Sequence, residues 1–156
     1  MKKRLLTFAL GLSIVATSAV AFAMTQQDAK NLANSYVPTD AQYSHITEDK
    51  TDYDVFYRTN TDLYEIEVDK NLNKVKSVSI DKLSPALSTD VKISADDAKA
   101  ILLKEYPNAN IVRVKLDRDS YKTTYDIDFI VDGAKADMEI LAVDGTILET
   151  EIDYVK

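Results

Sequence analysis

The sequence predicts an α+β fold of two tandem repeats, each one helix packed on a three- to four-stranded antiparallel sheet. Three observations predict it. Thr25-Gln26-Gln27-Asp28-Ala29-Lys30 and Ser94-Ala95-Asp96-Asp97-Ala98-Lys99 open two halves of one design, and Ser79-Ile80-Asp81 and Glu151-Ile152-Asp153 close them. Each opening leads into a helical apolar stripe that stops at a proline. Each proline is followed by short segments in which apolar and polar residues alternate. Self-similarity at a fixed period decides architecture before any single residue does.

The first helix is expected over Gln26 to Tyr36. Ala29, Leu32, Ala33 and Tyr36 fall at i, i+3, i+4 and i+7, on one helical face. Thr25 is its cap, Asp28 returns to the cap backbone, and Pro38 ends it. In the second helix Ser94 caps and Asp97 returns. Ala98, Ile101, Leu102 and Tyr106 form the buried stripe, and Pro107 is the stop.

The second half then alternates in four runs. Val112, Val114 and Leu116 interleave with Arg113, Lys115 and Asp117; Tyr125, Ile127 and Phe129 with Thr124, Asp126 and Asp128. Ala136, Met138 and Ile140 interleave with Asp137 and Glu139; Leu148, Thr150 and Ile152 with Glu149 and Glu151. Period-two alternation marks an antiparallel sheet covered on one face and wet on the other. Asp132-Gly133 and Asp144-Gly145 are the hairpin turns. In the first half the strands are Tyr43 to Thr47, Tyr53 to Arg58, Tyr64 to Val68 and Val75 to Ile80. The last hairpin there, Asp69 to Lys74, is expected to be about three residues longer than its counterpart.

The start of the chain belongs to neither half. Met1-Lys2-Lys3-Arg4 is a basic n-region, Leu5 to Val20 is apolar, and Ala21-Phe22-Ala23 supplies a small-x-small cleavage pattern. Export with cleavage after Ala23 is the expectation, to a secreted or periplasmic location. The organisation is then leader 1–23, first repeat 24–83, linker 84–92 with Pro85, and second repeat 93–156. Losing the three leader cations takes the net charge from −7 to −10. Such a balance disfavours nucleic acid and anionic membranes and suits basic proteins or cations. There is no cysteine, which removes disulfides and a thiol nucleophile from consideration.

The order of helix, strands and a closing Val-Asp-turn segment resembles the PepSY domain. The second half carries the resemblance in residues 94–101, 111–117, 124–129 and 142–148. The first half carries it in Asp28-Ala29-Lys30, Leu63 to Asp69 and Lys74-Val75. The resemblance implies an inhibitory or regulatory binding module, by analogy with the propeptides of secreted metallopeptidases. At the level of architecture alone the tandem arrangement also resembles the secreted β-lactamase inhibitory proteins.

Two surfaces are the candidate partner-binding sites. Alternation sends Asp126, Asp128, Asp137, Glu139, Glu149 and Glu151 to the side away from the helix, with Arg113 and Lys115 beside them. A basic partner would relieve the repulsion among these acids, and divalent cations would do so too. The second surface is the Tyr53–Arg58 segment, where Tyr53, Phe56, Tyr57 and Arg58 have the composition of interface anchors. Asp69-x-Asn71-x-Asn73 has the first donor positions of a calcium loop, but Lys74 and Ile80 stand where Gly and Glu are required. It reads as a turn. His45 is the only histidine, so a zinc site or a His-based triad lacks material, and no cofactor is expected.

The functional expectation is an exported protein-binding module, not an enzyme, that inhibits or modulates a secreted or envelope peptidase or other hydrolase. The alternative is an envelope accessory protein that binds a cation or small ligand through the same carboxylates.

Overall fold

Short-range signals start both helices. In this computed structural model, which describes residues 24–154, α1 (Gln26–Ala33) begins at Thr25 and α2 (Ala95–Glu105) at Ser94. The expected leader, residues 1–23 with its cleavage site, lies outside the described residues. At Thr25 the hydroxyl accepts from the Asp28 N–H at 3.2 Å, and the Asp28 carboxylate accepts the Thr25 N–H at 3.0 Å. Ser94 and Asp97 repeat this at 3.2 and 2.8 Å. Each box satisfies two backbone donors that a helix start leaves open. A turn of 3-10 helix, Asn34–Tyr36, extends α1. Ala29, Ala33, Ala98 and Leu102 are fully buried, and Leu32, Tyr36, Ile101 and Tyr106 pack beside them.

After α1 come β1 (Gln42–Glu48), β2 (Asp52–Arg58), β3 (Asp62–Asp69) and β4 (Lys74–Lys82). After α2 come β5 (Asn110–Arg118), β6 (Thr123–Val131), β7 (Ala134–Leu141) and β8 (Ile147–Asp153). All neighbours are antiparallel, and the order is β1-β2-β3-β4-β8-β7-β6-β5. The three- to four-stranded sheets expected of the two halves are joined here in one larger, eight-stranded sheet. The cause is the pairing of β4 with β8, in which Val78 meets Ile152 and Ile80 meets Thr150. Each meander would otherwise leave its last strand as an open edge, and mutual pairing removes both edges.

Directly opposed residues share a face of a sheet. One row runs Ile46, Val55, Ile66, Val78, Ile152, Ala136, Phe129 and Ile111 across all eight strands. Val55, Ile66 and Val78 pack under α1, and Ile152, Ala136 and Phe129 under α2. Both helices thus cover the same face, and among the described residues no helix covers the other. Tyr154 packs into both apolar clusters and stacks edge-on to Tyr36 at 5.6 Å between ring centres.

Two further expectations change. Val112 is not in the core but 62% exposed, because a bulge between Ile111 and Arg113 turns it out and seats Ile111 instead. A matching bulge between Tyr43 and His45 interrupts β1, so both edge strands carry the same device. The β3–β4 turn is not longer than the β7–β8 turn: residues 70–73 connect one pair and residues 142–146 the other. Asn73 at φ 52° and Gly145 at φ 79° take the left-handed position in them. Asp132 and Gly133, at φ 50° and 83°, form the tight β6–β7 turn.

Candidate functional site

The uncovered face gathers most of the candidate residues. Its central row runs His45, Phe56, Glu65, Ser79, Glu151, Asp137, Asp128 and Arg113, one residue from each strand. A flanking row runs Arg58, Leu63, Asp81, Glu149, Glu139, Asp126 and Lys115. On the other flank lie Thr47, Asp54, Glu67, Ser77, Asp153, Lys135 and Ile130. The six acids singled out in the second half are all here, and so are Phe56 and Arg58.

Tyr53 and Tyr57 are elsewhere. Period-two alternation puts them on the helix side, 6% and 2% exposed, which rules them out as surface anchors. Their hydroxyls donate to the carbonyls of Met24 at 3.2 Å and Lys30 at 3.1 Å, so they tie the strand to α1 and its approach. Tyr125 does the same in the second half, donating to the Ile93 carbonyl at 3.0 Å. Buried phenols normally find such partners.

Five pairs of carboxylates stand directly opposite one another near the β4–β8 seam. They are Asp81 with Glu149, Glu139 with Glu149, Asp137 with Glu151, Asp126 with Glu139, and Asp128 with Asp137. Cations occupy only the margins. Arg113 donates twice to Asp128, at 2.7 and 3.1 Å, Lys122 reaches Glu139 at 2.5 Å, and Lys76 reaches Glu67 at 2.6 Å. Lys115 turns to Asp117 on its own strand, at 2.5 Å, and leaves Asp126 to accept from the Thr124 hydroxyl at 3.1 Å. Among the described residues no ion pair reaches Glu65, Asp81, Asp126, Asp137, Glu149 or Glu151.

These six carboxyls are all held above the ordinary carboxylate range. Partial burial is the main cause at each. Neighbouring carboxylates add to it everywhere except Asp81, and the Thr124 hydroxyl opposes it at Asp126. A charge that is both desolvated and beside like charges resists ionisation. Glu65 and Asp81 belong to this group although the sequence reading left them out. The alternation of Leu63-Tyr64-Glu65-Ile66-Glu67 carried the signal, but it became useful only once β4 was joined to β8.

The aromatic end of the face is a stack. The His45 and Phe56 rings lie 4.3 Å apart and 4° from parallel, and the Ser44 hydroxyl is 3.0 Å from His45 Nδ1. Arg58 borders a shallow polar depression with Asp40, Gln42, Thr59 and Asn60. Among the described residues no three His, Asp or Glu side chains converge as a metal site would require. No described helix is long and apolar enough to cross a membrane.

Residues 92–151 match the family described as "Peptidase propeptide and YPEB domain". This segment is similar to the PepSY family. It holds α2 and the strands from β5 almost to the end of β8, and with them Asp126, Asp128, Asp137, Glu139, Glu149 and Glu151. Among solved structures the chain is similar to a candidate lipoprotein from Clostridium difficile 630. The identity is 23%, over 85% of this chain and 95% of that one, with a TM-score of 0.37. It is also similar to DUF2874 family proteins from Bacteroides uniformis and Bacteroides ovatus. Those show 14% and 13% identity, 83% of this chain, 90% and 88% of theirs, and TM-scores of 0.34 and 0.33. No curated protein matches the chain.

Proposed function

We propose that this is an exported PepSY protein that binds other proteins through its uncovered sheet face, and that it inhibits or modulates a secreted or envelope peptidase or other hydrolase. One observation carries the reading. The face holds six carboxylates with no described counter-ion, five of them half-buried and Asp137 exposed, while the available cations sit at its rim. A basic surface docked there would supply the missing charges and displace unfavourable contacts at once. The binding residues are Asp126, Asp128, Asp137, Glu139, Glu149 and Glu151, joined by Glu65, Asp81 and Phe56. The propeptide setting named in the family description supports a hydrolase as the partner.

The remaining parts of the reading are of the same standing. The basic n-region and Ala21-Phe22-Ala23 support export to the periplasm or beyond. Residues 24–83 and 93–156 are two copies of one unit joined by 84–92. The matched edge bulges and the matched tyrosine-to-carbonyl bonds of Tyr53 and Tyr125 support the duplication. The role is binding and not bond breaking, a reading supported by a face built from unpaired acids with one aromatic stack at its end.

The test is recovery of the partner from the native envelope fraction, followed by affinity measurements against salt. Charge reversal at Asp126 and Glu139 should weaken binding and flatten its salt dependence. Unchanged affinity in the double variant sinks the acidic face as the binding surface.

A further inference from the structure

The central row has an order that a merely solvated face would not need. It starts at the His45–Phe56 stack and passes through Glu65, Ser79, Glu151 and Asp137. It closes on Asp128, which Arg113 neutralises at 2.7 Å. Ser79 is the smallest side chain in the row. It stands between Glu65 on β3 and Glu151 on β8, with Asp81 and Glu149 one row away. Strands are spaced about 4.8 Å apart, which makes the row about 34 Å long from β1 to β5. An extended chain of roughly ten residues spans that length.

Resting on the binding role proposed above, we infer that the occupant of this face is one extended, basic segment of the partner lying across the strands along the His45–Arg113 row. Its cations sit over Ser79 and Asp137, and one aromatic side chain rests on the His45–Phe56 stack. Two independent features select that occupant. The unpaired acids select positive charge, and the flat aromatic pair at one end selects a planar group, because guanidinium and aromatic rings both stack on such a surface. The Arg113–Asp128 pair marks the end at which further positive charge is no longer favoured. The row therefore has a direction, and a segment bound to it has a polarity.

The experiment uses the purified protein and two labelled synthetic peptides of about ten residues that alternate Arg with Thr, one with a terminal Trp and one with Ala there. Fluorescence anisotropy at low and moderate salt gives the affinities, and amide chemical shifts map the contact. The Trp peptide should bind several-fold more tightly and should move the amides of β2, β3, β4, β8 and β7. Phe56→Ala should erase the difference between the peptides, while Asp137→Asn with Glu151→Gln should weaken both by roughly fivefold or more. Phe56 is on the uncovered face, so its truncation leaves the core intact, and an unchanged melting temperature would verify that. Equal binding of the two peptides overturns the directional segment. So does displacement of the peptide by millimolar calcium, or a shift map confined to the β5 edge. If the natural partner still depends on Asp126 and Glu139 when the peptides fail, the segment is wrong and the face stands. If charge reversal leaves the partner bound, the binding role itself fails.

Discussion

Replacing Glu149 with glutamine should make this protein more stable. On β8, Glu149 lies directly opposite Glu139 of β7 and Asp81 of β4, and no described cation pairs with it. Like charges facing one another across strands destabilise by roughly 0.2–1 kcal/mol per pair, so removing one member of two pairs returns about 0.4–2 kcal/mol. Glutamine keeps the side-chain length and its contact with the sheet. For a fold of this size 1 kcal/mol moves the melting temperature by about 3–5 °C, so the expected rise is a few degrees. The assay is thermal unfolding followed by circular dichroism at pH 7.5 and low ionic strength, with Glu139→Gln as the contrast. Glu139 is paired with Lys122 at 2.5 Å, and both side chains are 21% exposed, so its substitution removes an attraction along with a repulsion. It should be neutral or destabilising. High salt should shrink the Glu149→Gln gain, since screening weakens charge contacts near the surface. A melting temperature that falls or stays level in Glu149→Gln at low salt refutes the claim that these carboxylates are held against one another.

Three other outcomes follow from the same structure. Leu102→Ala, at a fully buried position of α2, should cost about 2–5 kcal/mol in denaturant unfolding; a cost below 1 kcal/mol would mean that α2 is not packed as described. Gly145→Ala should be more destabilising than Gly133→Ala: both residues have positive φ, which costs roughly 1–2 kcal/mol for alanine, but only at Gly145 would the new Cβ meet Ile101 Cδ1, at 2.5 Å. Equal melting shifts for the two would remove the contact between the β7–β8 turn and α2. Stability should peak in mild acid. The six carboxyls held high are penalised when ionised, so stability rises as pH falls from neutrality through their raised values. Asp28 and Asp97, lowered by hydrogen bonds from Thr25 and Ser94, contribute stability above the ordinary 3.8 that is lost as pH falls through their lowered values. Melting scans that decline steadily from pH 7.5 to pH 5 would contradict this.

The helices and individual strands were legible because their signals are local. Capping boxes span four residues, and alternation needs only one strand to be seen. Pairing of β4 with β8 is not local, and Ser79-Ile80-Asp81 and Glu151-Ile152-Asp153 read the same whether their strands are edges or neighbours. That gap concealed the first-half contribution to the acidic face, because Glu65 and Asp81 matter only when their strands adjoin β8. The bulge at Val112 carries no Gly or Pro to announce it. The grouping of Tyr53 and Tyr57 with Phe56 and Arg58 was a different kind of miss. A period of two separates them onto opposite faces, whatever their shared composition suggests.

Solubility explains a charged face but not this distribution of charge. A surface that serves only to stay in water does best with both signs interspersed, which lowers repulsion at no loss of hydration. This chain has cations to spare for the purpose, with Lys50 at a turn, Lys74 at the start of β4 and Lys104 on α2, yet the seam around Ser79 receives none of them. Repulsion concentrated at the centre of an uncovered sheet is a stability cost of the kind that functional surfaces carry, where stability and activity trade off. The two accounts therefore part at one residue, over partner affinity. If the acids are only solvating, Glu149→Gln stabilises the fold and leaves partner affinity alone. If they are the binding surface, the same substitution stabilises the fold and weakens the complex, and its two effects move in opposite directions.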